Sequence, residues 1–327
     1  MTTISLRSRP TGFAAGSSNL TVRDRIRRVY QYRRILKLLV GRDLKVRYAG
    51  SFLGYVWTIL EPLLMTFVYF LLFTQIFHRS AGNDFKPFLL YLITGQLPFF
   101  WFTGGVTATT RALRSESQMV RSTNVPRELW VLRVVASKYV EYLFGLPVVI
   151  IFAAAYAMKP TIYTLLLPVA WLLEITLIVG MGLILAPLNV LVRDVERIVP
   201  IFTRIMFFAS PVLYSIEQAS KKLQVIFSLN PTVGFLQLSR AVFFPAALYT
   251  KHTRIVGGHV VVDHVRGKIV NGVAVVHERH HIVGGHKVVT TVSHWNWVWH
   301  SAVVSLVILV IGVFVFIRLE RPVLKEI

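Results

Sequence analysis

Three glutamates stand in apolar surroundings: Glu61 in TILEPLL, Glu141 in KYVEYLF and Glu174 in WLLEITL. A carboxylate in hydrocarbon is costly enough to mark a functional position by default, and paired carboxylates are suited to acid/base chemistry. Each also has a structural explanation. Glu141 can pair with Lys138 or a neighbouring tyrosine, and Glu61 precedes Pro62, where a helix start or kink frees backbone groups that need partners. No nucleophile with its base, no aspartate-rich sugar-nucleotide site and no glycine-rich phosphate loop accompanies them. The run G-x-x-x-x-G-K-[ST] is absent as well, so the chain does not hydrolyse ATP by itself.

Nine of the ten histidines lie between His252 and His300, where Ile-Val-Gly-Gly-His occurs twice, 27 residues apart. IVNGVAVV sets Asn271-Gly272 between two β-branched runs, a strong signal for a two-residue hairpin turn. With Val270 opposite Val273, opposed residue numbers sum to 543, which sets Gly258 against Gly285, Asp263 against His280, Val265 against Glu278 and Arg266 against His277. Asp263, Glu278 and His280 could ligate zinc, but strand alternation scatters the remaining histidines over both faces. The expectation is therefore architectural, with no metal: a β-hairpin from about Ile255 to Thr290, its paired glycines acting as bulges or bends.

The elements that carry these residues belong to a membrane. A chain of 327 residues that is 54% hydrophobic, with a mean hydropathy of +0.60, leaves too little polar surface for a soluble globule. About 20 apolar residues are needed per spanning helix, and six stretches qualify: Phe52 to Phe77, Phe88 to Thr109, Leu129 to Met158, Tyr163 to Leu191, Ile198 to Ser215 and Trp297 to Ile317. Of the 36 Lys and Arg, 24 fall before the first span, between the second and third, between the fourth and fifth and after the last. That bias predicts both termini in the cytoplasm and the histidine-rich stretch outside. The net charge of +21 flanks apolar spans rather than forming a basic face, which points to anionic lipid headgroups and not to nucleic acid. The absence of cysteine excludes disulfides and thiolate metal sites.

Residues 1–19 read as a disordered cytoplasmic tail without a cleavable signal, and 20–48 as an amphipathic basic helix lying in the interface. After the spans of 52–215, two apolar pieces of about ten residues in 216–250 are too short to cross and read as re-entrant or interfacial helices. Residues 251–293 hold the hairpin, 297–317 the last span and 318–327 a cytoplasmic tail. The fold class is an all-α polytopic membrane protein with six transmembrane helices and one small outer β element.

RDLKVRYAGSFLGYVWTILEPLL, NVLVRDVERIVPIFTRIMFFASPVLYS and SLNPTVGFLQLSRAVFF together resemble the signature stretches of the permease subunit of type-2 ABC polysaccharide exporters, the Wzm-like or O-antigen and teichoic-acid group. The long insertion suggests the actinobacterial, galactan-exporting branch. The resemblance implies a homodimer enclosing a channel in the plasma membrane, with two ATP-binding subunits docked on the cytoplasmic side. This chain would hold no cofactor, ATP and Mg being bound by the partner. The coupling helix of the family falls in the loop with Arg111, Arg114, Glu116, Arg121 and Arg127, and Arg193, Asp194, Glu196 and Arg197 resemble its other docking element. Ser210, Pro211, Tyr214, Asn230 and Pro231 match its outer-gate motifs.

A polyprenyl-diphosphate-linked polysaccharide carries its charge at the membrane surface, where Arg42, Lys45, Arg47 and Tyr48 can offer charge-assisted hydrogen bonds. Its neutral sugars need faces on which to slide. Tyr55, Trp57, Phe67, Tyr69, Phe99, Phe100, Trp101 and Phe102 are available for stacking. The rival expectations are a membrane-embedded glycan-processing enzyme using the glutamates and outer histidines, and a small-molecule drug exporter of the same superfamily.

Overall fold

The computed structural model describes residues 21–52, 54, 56–76, 85–214, 216, 221–244, 247–256, 267–270, 273–276, 286–293 and 295–326. The expected tail over 1–19 lies outside them. The stretch anticipated as one helix over 20–48 is two, α1 (Val22–Gln31) and α2 (Arg33–Tyr48), broken at Tyr32. Thr21 caps α1 by accepting from the Asp24 amide at 3.3 Å. The break lets α2 follow a neighbouring helix instead of continuing α1.

Five helical segments among the described residues are long and apolar enough to cross a membrane. They are α3 (Val56–Leu71) continued by a π-helical turn to Ile76, α4 (Phe85–Thr110), α6 (Glu128–Ala155), α7 (Leu167–Leu191) entered through a 3₁₀ turn from Ile162, and α11 (Trp295–Glu326). Between α4 and α6 lies the short α5 (Ser117–Ser122). The fifth expected span corresponds to α8 (Val195–Phe208), whose 14 residues rise about 21 Å, short of the roughly 30 Å hydrocarbon core. Its bounds are thereby corrected, because the chain leaves the helix at Ala209 rather than continuing through Ser215. The expected tail at 318–327 is corrected too: α11 stays helical to Glu326.

Small residues set the tightest helix contact. A methyl group added at Gly180 would lie 2.8 Å from the Leu309 backbone, and Gly312 faces the Gly180 carbonyl. Apolar attraction between helices is weak in lipid, so such close backbone approach is what joins α7 to α11. Two short helices follow α8: α9 (Lys221–Ser228) and α10 (Thr232–Ala241). Every residue of α10 is buried, packed on α4, α7 and α11.

Among the described residues, β1 (Tyr249–Val256) pairs antiparallel with β4 (His286–Ser293), and β2 (Gly267–Val270) with β3 (Val273–Val276). The β2 and β3 partners sum to 543, with Val270 opposite Val273. The β1 and β4 partners sum to 542, with Ile255 opposite Lys287, so the single register expected for the whole stretch is corrected by one residue. The offset matches the numbering, since ten residues separate β1 from β2 and nine separate β3 from β4. A shift of one exchanges the faces of a strand relative to its partner. Asn271, Gly272 and the expected pairs from Gly258 to His277 lie outside the described residues.

Candidate functional site

A cleft of about 500 Å³ opens among α2, α3, α4 and α6. Its charged wall holds Arg47, Lys138 and Glu141. Arg47 pairs with Glu141 Oε1, and Lys138 Nζ donates to Glu141 Oε2 at 2.8 Å. Lys138 and Glu141 are one helical turn apart on α6, a spacing that brings side chains together; Arg47 arrives from 94 residues away. Gly104 leaves room on the facing helix, where a methyl group would stand 3.9 Å from Lys138 Nζ. Glu61 lines the same cleft from α3, exposed.

The aromatic wall is Trp57, Phe100, Trp101 and Tyr142. Trp101 stacks on Tyr142 with centroids 4.7 Å apart and 21° between planes, and Tyr142 accepts from Trp171 Nε1 at 3.3 Å. This wall is therefore braced by α7. Of the expected stacking residues, only Trp57, Phe100 and Trp101 meet here. Tyr69 stacks instead on Phe207 at 5.5 Å, Phe99 and Phe102 are core, and Phe67 is 53% exposed on α3. Tyr55 lies outside the described residues, and so does the side chain of Tyr48.

The expected anion site divides. Arg42 is held by Glu116 at 2.5 Å, whereas Lys45 is exposed. Arg133, nearly buried, pairs with both Glu116 and Asp43 at 3.0 Å. These contacts and the Arg47 pair line α2 up along α6, which is why α2 leaves the path of α1. Of the three acids expected to be buried, Glu61 is corrected to exposed, whereas Glu174 is 1% exposed on α7 and has no ion pair among the described residues.

The loop expected to dock a partner is fastened internally at several points. Arg111 pairs with Glu196 at 2.8 Å, Arg114 approaches the same carboxylate at 3.8 Å, and Arg127 pairs with Glu320 at 2.5 Å. Glu320 also accepts from Arg25, which bonds Glu128 as well. The start of α6, the end of α11, α1 and the start of α8 thus gather around this loop on one face of the bundle. Arg121, Arg193, Asp194 and Arg197 remain exposed there.

At the break after α8 the expected gate residues converge. Asn230 Nδ2 donates to the Ala209 carbonyl and to Ser210 Oγ, both at 3.0 Å, and Thr232 donates to Asn230 Oδ1. Arg240, fully buried, donates to the carbonyls of Pro211, Val212 and Tyr214 while its guanidinium stands 4.1 Å from the Tyr91 ring centroid. Ser301 of α11 donates to the Pro231 carbonyl. Sequence reasoning missed Arg25, Asp43, Arg133, Arg240 and Glu320. A lone arginine in the apolar run LQLSRAVFF was the one signal that could have flagged Arg240.

Membrane-length helices around a charged, aromatic cleft, with a polar loop face at one end, define a polytopic membrane transport subunit. The chain belongs to the ABC-2 type transporter family, which it matches over residues 34–244. It is 34% identical over 221 residues to the O-antigen export system permease protein RfbA of Myxococcus xanthus, covering 67% of this chain and 84% of that protein. A protein of the same name from Klebsiella pneumoniae is 29% identical over 222 residues, 68% of this chain and 84% of the relative. The polysialic acid transport protein KpsM of Escherichia coli is 25% identical over 213 residues, 64% and 81% respectively.

Proposed function

We propose that the chain is the permease half of a homodimeric exporter that moves a polyprenyl-diphosphate-linked polysaccharide across the inner membrane, with both termini in the cytoplasm. Two copies of a separate ATP-binding subunit, which hold ATP and Mg, supply the energy. The observation that carries this reading is the similarity to relatives named for O-antigen export and polysialic acid transport, joined to a family match over residues 34–244 that contains the cleft residues, α5 and Arg240. Family membership and the loop face support an ATP-binding partner, for which Arg121, Arg193, Asp194 and Arg197 offer exposed charges. Aromatic rings beside carboxylates and hydroxyls suit sugar rings, which stack with little orientational demand, and Arg47 with Lys138 supplies the cations for the diphosphate. We assign a galactan-type cell-wall precursor as cargo, on the strength of the strand-bearing segment 251–293, which the family match does not include.

The test is co-expression with an ATP-binding subunit from the same genome, followed by reconstitution into vesicles. The expected result is a two-plus-two complex whose ATPase activity moves lipid-linked glycan, with no turnover by the permease alone. Modification of a lipid-linked sugar by the isolated chain without ATP would replace this reading with the enzyme. Transport of a hydrophobic drug but of no glycan would replace the cargo.

A further inference from the structure

Two cations of the cleft share one carboxylate. Glu141 presents Oε1 to Arg47 and Oε2 to Lys138, and its side chain is 10% exposed against 42% for Arg47 and 18% for Lys138. The second carboxylate, Glu61, stands across the cleft, and the remaining lining groups are neutral: Trp57, Thr58, Phe100, Trp101, Thr103 and Tyr142 among them. Two positive and two negative groups leave no net charge when all are ionised. An anion entering through the side of Arg47 and Trp57 therefore finds both cations already matched.

That arrangement discriminates by charge number. A phosphodiester headgroup carries one negative charge, the same as Glu141, and lacks the fixed placement that the α6 backbone gives the carboxylate; either ligand must displace Glu141, and one charge exchanged for one gains nothing to offset that. A diphosphate ester carries at least two negative charges over more acceptor oxygens. It can bind Arg47 and Lys138 at once with the doubled charge that Glu141 does not have, and charge-assisted contacts are the strong ones. The backbone under Arg47 is meanwhile fixed by the Arg42 pair with Glu116 and the Asp43 pair with Arg133.

We propose that Glu141 is a specificity-determining residue, an internal carboxylate that occupies the anion site of Arg47 and Lys138 and yields it to a lipid diphosphate but not to singly charged phosphodiester lipids. The inference rests on the diphosphate reading above. In a leaflet crowded with phosphodiesters, a site of two bare cations would be filled by the solvent lipid. The built-in carboxylate keeps it available.

Binding of geranylgeranyl diphosphate and of phosphatidylglycerol to the full-length permease in phosphatidylcholine nanodiscs tests this directly. The unmodified chain should keep the diphosphate against a large excess of phosphatidylglycerol; equal binding of the two headgroups would overturn the proposal. Glu141→Gln, which keeps shape and removes charge, should raise phosphatidylglycerol binding by about tenfold, the scale of one charge-assisted contact. Unchanged phosphatidylglycerol binding in Glu141→Gln, with diphosphate still bound through Arg47 and Lys138, would remove the selector and leave the diphosphate site standing. Undiminished diphosphate binding in both Arg47→Gln and Lys138→Gln would instead remove the site, and the reading with it. Inorganic pyrophosphate as competitor separates the sources: displacement shows that the headgroup alone is recognised, and its failure where the lipid binds shows that the isoprenoid is needed as well, with Glu141 still setting the headgroup preference.

Discussion

Arg240 carries a positive charge into a fully buried site and donates to three carbonyls at the break after α8. Removing the guanidinium leaves those acceptors unpaired at about 1–3 kcal/mol each. Arg240→Ala should accordingly lower the melting temperature of the purified permease by several degrees, and Arg240→Lys should rescue little, because an ammonium cannot reproduce the planar fork. Wild-type melting of the lysine variant would show the fork to be unnecessary. The legibility of single residues followed distance along the chain. Lys138 and Glu141 could be paired on paper because three positions on a helix share a face. Arg47 stands 94 residues from Glu141, so its partner depended on how α2 packs. Arg42 shows the same limit: its partner Glu116 stands 74 residues away and could not be read from the chain.

At the scale of elements, hydropathy made the long helices readable, since a run of about 20 apolar residues has few other uses. It failed where polar contacts decide. The break at Tyr32, the end of α8 and the continuation of α11 past Ile317 all depend on partners remote in sequence: Asp43 and Arg47 on α6 residues, Asn230 on Ala209, Glu320 on Arg25. Gly180 gives a test of the α7 and α11 contact. Gly180→Val must push Leu309 away, and a destabilisation of about 1–3 kcal/mol, typical of overpacking, should appear as loss of folded protein in detergent while Gly41→Ala, where nothing lies within 4 Å, leaves yield unchanged. The loop face divides likewise. Arg121→Ala with Arg193→Ala and Arg197→Ala should weaken ATPase coupling in the assembled complex without changing permease melting, whereas Glu116→Ala should lower melting, because it unties α2 from α6. Equal melting for the two sets would refute that division.

Seen whole, the molecule leaves large apolar areas uncovered, on α3 at Val56, Leu64, Phe67 and Val68, on α8 at Ile201, Ile205 and Phe208, and on α11 at Val303, Leu306 and Val310. Lipid and a second copy are the two coverings that a membrane offers. Membership of a transporter family was legible because three stretches in order carry it, while residues 251–293 lie outside the family match and only the β2–β3 register among them was read correctly. Replacing residues 251–293 by a short linker measures its contribution at this scale: if it guides emerging glycan, export of native polymer in vesicles should fall severalfold while ATPase activity persists. Unchanged export would make it dispensable.

The clasp of Arg25 with Glu128 and Glu320 also imposes an order on biosynthesis. Glu128 emerges 103 residues after Arg25 and Glu320 295 residues after it. At 5–20 residues per second the second partner arrives roughly 15–60 s later. For the first 103 residues of that interval Arg25 has neither of these carboxylates, and for the rest it has Glu128 while Arg127 still lacks Glu320. The ring closes only when the last span has crossed, so a chain stalled or clipped before Glu320 keeps an open N-terminal helix. The folded molecule thus records, at the face where a partner subunit would inspect it, that α11 has been made.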